Sequence, residues 1–155
     1  MVELSRVLIR RLEERDRNDW IELWAQYNAF YGRSGETALP DHMVQSTWER
    51  LFDETEMVFG LVAEQNSLLL GFTHFIFHRN TIQLENTCYL QDLFTAKAAR
   101  GKGIGRMLIE GVSDECKECN VNDIYWHTQS SNTAARRLYD NIARNTDFLV
   151  YRRLA

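Results

Sequence analysis

The stretch Arg100-Gly101-Lys102-Gly103-Ile104-Gly105-Arg106 follows a strand-like run and opens a helix-like one, and its reading decides the fold. Its glycines let the chain turn tightly and let the main chain approach a ligand. Ile104, Met107, Leu108, Val112 and Cys116 recur at three- and four-residue spacing and predict an amphipathic helix from this point on. The first amides of such a helix have no ladder partner, and the positive end of its dipole favours an anion, above all a phosphate. Arg100, Lys102 and Arg106 add charge of the same sign. The stretch therefore predicts an anion cradle, the other reading being a glycine-rich turn without a ligand. Two common phosphate loops fail on spacing. A Walker loop needs Ser or Thr after Gly-Lys, but Gly103 follows Lys102; a dinucleotide fingerprint needs glycine where Arg106 stands, and it follows the first strand of a βαβ unit. Neither an ATPase nor a dehydrogenase is predicted.

Working outward, residues 7–12 read as a first strand, followed by a helix that Asp16 could cap. Trp20, Leu23, Trp24 and Tyr27 give that helix an apolar stripe, and the run from Gly32 to Glu36 breaks it. A second helix begins near Pro40-Asp41 and turns Val44, Trp48, Leu51 and Phe52 inward. Two strand-like runs, 57–64 and 68–78, flank a hairpin turn at Gln65-Asn66-Ser67. Residues 87–95 form a further strand before the glycine-rich loop. A strand at 123–129, a helix at 132–143 and a last strand at 148–152 complete the order. Elements mixed in this way predict an α+β fold: a central mixed, mostly antiparallel sheet flanked by about four helices, in a single domain over residues 1–155.

Composition excludes several classes. With 18 Lys and Arg against 22 Asp and Glu, the net charge of −4 is not the basic footprint of a nucleic-acid binder. No apolar run approaches the roughly 18–20 residues of a membrane span. Residues 1–6 lack the basic start and apolar stretch of a signal peptide. Three cysteines suit a reducing compartment, so a cytoplasmic protein with no membrane partner is expected. Cys116-Lys117-Glu118-Cys119 falls at the end of a helix and has no second pair, so neither a redox nor a zinc site is predicted. His42, His74 and His78 are dispersed without metal spacing and read as ordinary histidines.

Arg100-Gly101-Lys102-Gly103-Ile104-Gly105 resembles the pyrophosphate loop, Arg/Gln-x-x-Gly-x-Gly/Ala, of the GNAT superfamily of acetyl-CoA-dependent N-acyltransferases. Asn132-Thr133-Ala134-Ala135-Arg136-Arg137-Leu138-Tyr139 is similar to that family's Asn-x-x-Ala-x-x-Leu-Tyr helix, in the right order and at the right distance. The run Leu90 to Thr95 resembles its cofactor strand. Asp92-Leu93-Phe94, Tyr125-Trp126-His127-Thr128 and Val150-Tyr151-Arg152-Arg153 look closest to the histone and polyamine acetyltransferase branch. One departure is Asp147-Phe148, where the family often has Gly-Phe.

The resemblance implies acetyl-CoA as co-substrate, no metal, and transfer of the acetyl group to a primary amine in a ternary complex. The acceptor would be a polyamine, an amino acid, another small molecule or a protein lysine. It implies that the main chain of Leu93, Phe94 and Thr95 pairs with the pantetheine arm. The loop from Arg100 through Gly101, Lys102, Gly103, Ile104 and Gly105 to Arg106 would hold the diphosphate. Asn132, also a good N-cap, and Ala135 would contact the cofactor from the following helix. Tyr139 would donate a proton to the departing sulfur, in place of simply packing in the core. Asp92 is the candidate general base, with Glu85, Tyr89, His127 or a water chain as competitors. Tyr27, Tyr31, Trp48, Glu36, Asp41, Asp53 and Glu54 could attract a cationic amine, although packing and solvated helix faces explain most of them. A homodimer through terminal strands is expected from the same resemblance. A non-catalytic CoA-binding or sensory module is the alternative function.

Overall fold

The computed structural model describes residues 5–155. Its elements run β1 (Leu8–Arg11), α1 (Arg17–Phe30), α2 (Asp41–Arg50), β2 (Val58–Gln65), β3 (Leu68–His78), β4 (Thr87–Thr95), α3 (Ile104–Glu118), β5 (Ile124–Tyr125) and α4 (Thr133–Ile142). The strands form one sheet in the order β1-β2-β3-β4-β5, antiparallel except for the parallel β4–β5 pair. This is the mixed, mostly antiparallel sheet with four α-helices that the element order predicts. The β2–β3 hairpin closes through Asn66 (φ 52°) and Ser67 (φ 63°), both left-handed, which matches the twist of the flanking strands.

Apolar side chains alternate along β2, β3 and β4 and build a core on each face of the sheet. One face carries Leu61, Phe75, Phe77, Cys88 and Leu90 against Leu108, Val112 and Cys116 of α3. The other carries Val62, Phe72 and Phe94 against Trp20, Leu23, Trp24 and Tyr27 of α1 and Trp48 of α2. Trp20 is fully buried, stacked on Trp24 and tilted against Trp48, with ring centroids 5.0 Å away in each case.

Asp16 does not cap α1 through its side chain. It accepts hydrogen bonds from the Arg10 guanidinium (2.7 and 2.9 Å) and the Glu13 amide (2.8 Å), tying β1 to the start of the helix. The sheet also ends earlier than the sequence predicts. Of 123–129 only Ile124 and Tyr125 pair, and residues 148–152 join no strand among the described residues. There Phe148 and Tyr151 are 91% and 90% exposed. Strand propensity measures fit to a pleated surface, and it places no strand where no paired edge receives one.

Gly71 sits where β3 crosses the end of β4, and a Cβ there would lie 2.5 Å from the Phe94 carbonyl oxygen. Gly71→Ala should therefore destabilise the protein by about 1–3 kcal/mol in urea unfolding, with an unchanged m-value. Burial would push the Asp16 carboxyl up, but its bonds to Arg10 and the Glu13 amide outweigh that and hold it below the usual carboxylate range. A depressed native pKa contributes stability above the unfolded value near 4, and that contribution is lost as pH falls through the folded value. Asp16→Asn should thus cost about 1–3 kcal/mol at pH 7. The gap to wild type should close as unfolding is repeated from pH 5 down to pH 2.

Candidate active site

The site begins with an irregularity in β4. His74 pairs with Asp92 and Phe75 with Leu90, so Gln91 is an extra residue that bulges from the ladder. A bulge bends the strand and shifts the phase of its side chains. Cys88 and Leu90 face α3 before it, whereas Asp92 and Phe94 face α1 after it, paired with His74 and Phe72. β5 follows β4 only at Cys88↔Ile124 and Tyr89↔Tyr125 and then parts from it. A narrow cleft opens at the parting, lined by Leu90, Gln91 and Leu93 of β4, by Trp126, His127 and Thr128 beyond β5, by Tyr27 and Tyr31, and by Tyr139 of α4.

The glycine-rich loop lies at the far end of β4. Gly101 (φ 76°) and Gly103 (φ 79°) adopt left-handed conformations that L side chains disfavour, and no atom lies within 4 Å of a Cβ built on either. The first ladder bond of α3 runs from the Met107 amide to the Gly103 carbonyl (3.0 Å), so the amides of Ile104, Gly105 and Arg106 precede the ladder. A Cβ on Gly105 would touch Leu138 of α4 at 3.5 Å, so the loop, the end of β4 and α4 converge. The three cations of the loop behave differently. Arg100 turns back to donate to the Thr95 carbonyl (3.1 Å) and covers the Phe94 ring, and Arg106 pairs with Glu110 along the helix. Lys102 forms no ion pair among the described residues. Open amides, glycines without obstruction and one unpaired cation suit the diphosphate of a CoA thioester.

Tyr139 projects from α4 to the cleft with its ring edge-on to Trp126, centroids 5.3 Å apart. Burial, with a smaller contribution from Tyr31, pushes its phenol up to about 12. Asn132 precedes α4 without capping it through the side chain, and its Nδ2 donates to Thr128 Oγ1 (3.3 Å). Ala135 is half-buried one turn before Tyr139.

Asp92 does not line the cleft. It is 8% exposed and stands at the end of a buried chain of polar groups. The Trp20 indole Nε1–H can only donate, and it gives its proton to His74 Nε2 (2.9 Å). The proton of the His74 ring is therefore on Nδ1, which donates to Asp92 Oδ2 at 2.8 Å. Burial and the adjacent Asp92 carboxylate push the Tyr27 phenol up. His74, which the sequence reads as an ordinary histidine, is a buried one with both ring nitrogens hydrogen-bonded, and its partners have no spacing signature because Trp20, His74 and Asp92 meet only through the sheet register and α1.

The competing bases fall in different places. His127 reaches the cleft rim with Tyr89 beside it (hydroxyl to Nδ1 3.5 Å), and Glu85 is outside the lining. Tyr27 and Tyr31 line the cleft, Trp48 is core, and Glu36, Asp41, Asp53 and Glu54 are exposed away from it. Cys116 is buried while Cys119 is exposed. Among the described residues no group of three or more His, Cys, Asp or Glu could hold a metal, and no helix is long and apolar enough to cross a membrane.

A family model described as the Acetyltransferase (GNAT) family matches residues 10–142. The chain belongs to this family. It is 31% identical over 151 residues, 96% of this chain and 91% of the relative, to the D-amino-acid N-acetyltransferase HPA3 of Saccharomyces cerevisiae. Among solved structures, this GNAT protein superposes with a TM-score of 0.81 and 22% identity on a transcriptional regulator from Bacillus halodurans, covering 97% of this chain and all (100%) of that one. It superposes with a TM-score of 0.80 and 17% identity on AAC(6')-Iy, solved in complex with the bisubstrate analog CoA-S-monomethyl-acetylneamine, covering 97% and 99%. At these identities the two structures show the fold. Family and curated relative together make the chain an acetyl-CoA-dependent N-acetyltransferase.

Proposed function

We propose that this GNAT protein transfers the acetyl group of acetyl-CoA directly to the primary amine of a small molecule, with a free amino acid as the favoured acceptor class. One observation carries the reading: a cleft with Tyr139 and Tyr27 in its wall opens where β4 parts from β5, on the strand that leads to a loop of open amides. When bound, acetyl-CoA supplies the thioester. The amides of Gly101 to Arg106 and the Lys102 ammonium hold its diphosphate, with Arg100 bracing the loop against Thr95. The main chain of Leu93, Phe94 and Thr95 holds the pantetheine arm, and Asn132 and Ala135 contact it from α4. Tyr139 donates its proton to the departing sulfur, and its raised pKa of about 12 keeps that proton in place at neutral pH.

The yeast relative, a D-amino-acid N-acetyltransferase, supports an amino acid as acceptor. The motif resemblance to the histone and polyamine branch keeps polyamines and lysine peptides in the test panel. The exposed run Phe148-Leu149-Val150-Tyr151 supports a homodimer that covers it, and three free cysteines support a cytoplasmic location.

Saturating acetyl-CoA should raise the melting temperature by several degrees, and Gly103→Val, which forces a branched side chain into a left-handed turn at the cradle, should abolish that shift. Tyr139→Phe should lower kcat by about 10²-fold or more in a thiol-release assay while the CoA Kd stays within a factor of about two. Binding of CoA with no thiol release from any amine would overturn transferase function in favour of a sensory module.

A further inference from the structure

We propose that Tyr27 is the group that deprotonates the acceptor amine, passing its own phenolic proton to Asp92, and that His74 and Trp20 are positioning residues that hold the Asp92 carboxylate for this relay. The proposal rests on the N-acetyltransferase reading and names the route by which that reaction loses its proton.

Position argues for a relay in place of direct attack by Asp92. An ammonium in the cleft meets Tyr27 and Tyr31, whereas the Asp92 carboxylate is buried outside the lining, close enough to Tyr27 to act on its phenol. Asp92 Oδ2 is committed to the His74 Nδ1–H at 2.8 Å, which holds one oxygen of the carboxylate in place. The Trp20 Nε1–H locks the His74 tautomer from the opposite end at 2.9 Å. Phe72, Trp20 and Trp24 pack around the imidazole with centroids 4.8–5.8 Å away, so His74 has no second orientation to adopt.

The groups facing this pair are few. Tyr31 and Arg33 approach Tyr27 from the end of α1 and beyond, and Tyr31 and Tyr89 feel the charge of Asp92. Burial and Asp92 both oppose a phenolate at Tyr27, so its two protons move together. An N–H bond of the ammonium breaks as that proton joins the phenol oxygen. The Tyr27 O–H proton passes to the carboxylate, leaving a neutral amine, an intact phenol and a carboxylic acid at Asp92. The amine nitrogen then bonds to the acetyl carbon as the C–S bond breaks. As the amide forms, the nitrogen gives up its second proton, which restores the Tyr139 phenol after Tyr139 has protonated the sulfur, and Asp92 returns its proton to solvent after product leaves.

The test is steady-state thiol release by the full chain with acetyl-CoA and each of D-phenylalanine, putrescine, kanamycin and a lysine peptide, from pH 6.5 to 10. Tyr27→Phe should lower kcat/KM at least 10²-fold at pH 7 with CoA affinity by calorimetry unchanged, and the deficit should shrink towards pH 10, where a far larger fraction of the amine is neutral without help. Asp92→Asn should show the same loss and the same recovery, and the double variant should be no worse than either single one, because both act on one proton. His74→Leu should lose about 10-fold and displace the acidic limb of the pH profile. His74→Asn, whose amide can still donate to Asp92, should restore most of that loss. A Tyr27→Phe enzyme within threefold of wild type at pH 7, or a deficit constant with pH, would overturn the relay while leaving the transferase reading intact. Wild-type enzyme that releases no thiol with any of the four amines would overturn both. If Tyr27→Phe fails to fold by circular dichroism, Asp92→Asn decides alone, by the same pH criterion.

Discussion

A single extra residue in one strand organises this molecule's chemistry. Gln91 bulges from the β3–β4 ladder and turns the phase of β4, so that residues before it belong to the core under α3 and residues after it to the core under α1. The same bend carries β4 away from β5 after two paired residues. Everything proposed for the site depends on that parting. It frees the strand edge proposed to receive the pantetheine arm, opens the cleft that Tyr139 enters from α4, and places Asp92 on the face where His74, itself held by Trp20, bonds it. Without the bulge, Asp92 would share a face with Leu90 and lie in the core beneath α3.

Packing holds this arrangement more firmly than charge does. Gly71 lets β3 pass close to the end of β4, and Gly105 lets the start of α3 approach Leu138 of α4. Trp20 fills the space between α1, α2 and the sheet and also supplies the donor that sets the His74 tautomer, so one side chain serves core and site together. The ion pair of the one loop cation that has one contributes little by comparison, because Arg106 and Glu110 are both exposed. Main-chain amides, fixed by two left-handed glycines, are the durable part of the proposed cradle.

Much of this was legible in the sequence where the signal is local. The glycine loop, the Asn132-to-Tyr139 helix, the hairpin at Asn66-Ser67 and the tryptophan stripe of α1 are short-range patterns, and short-range physics decides them. The bulge at Gln91 carries no such signature, since neither glycine nor proline marks it, and the meeting of Trp20, His74 and Asp92 depends on the register of strands 18 residues apart. The last predicted strand failed for a related reason. Phe148-Leu149-Val150-Tyr151 has strand propensity, but pairing needs an edge, and no edge among the described residues receives it.

The central claim is that the amides around Gly103 receive the diphosphate of CoA while the parted edge of β4 receives its pantetheine arm. Amide-resolved nuclear magnetic resonance during a titration addresses it directly. With CoA, the amides from Gly101 to Arg106 and from Leu93 to Thr95 should shift together, and with pantetheine, which lacks the diphosphate, only those of β4 should move. Amides of the loop that stay in place at saturating CoA would contradict the account.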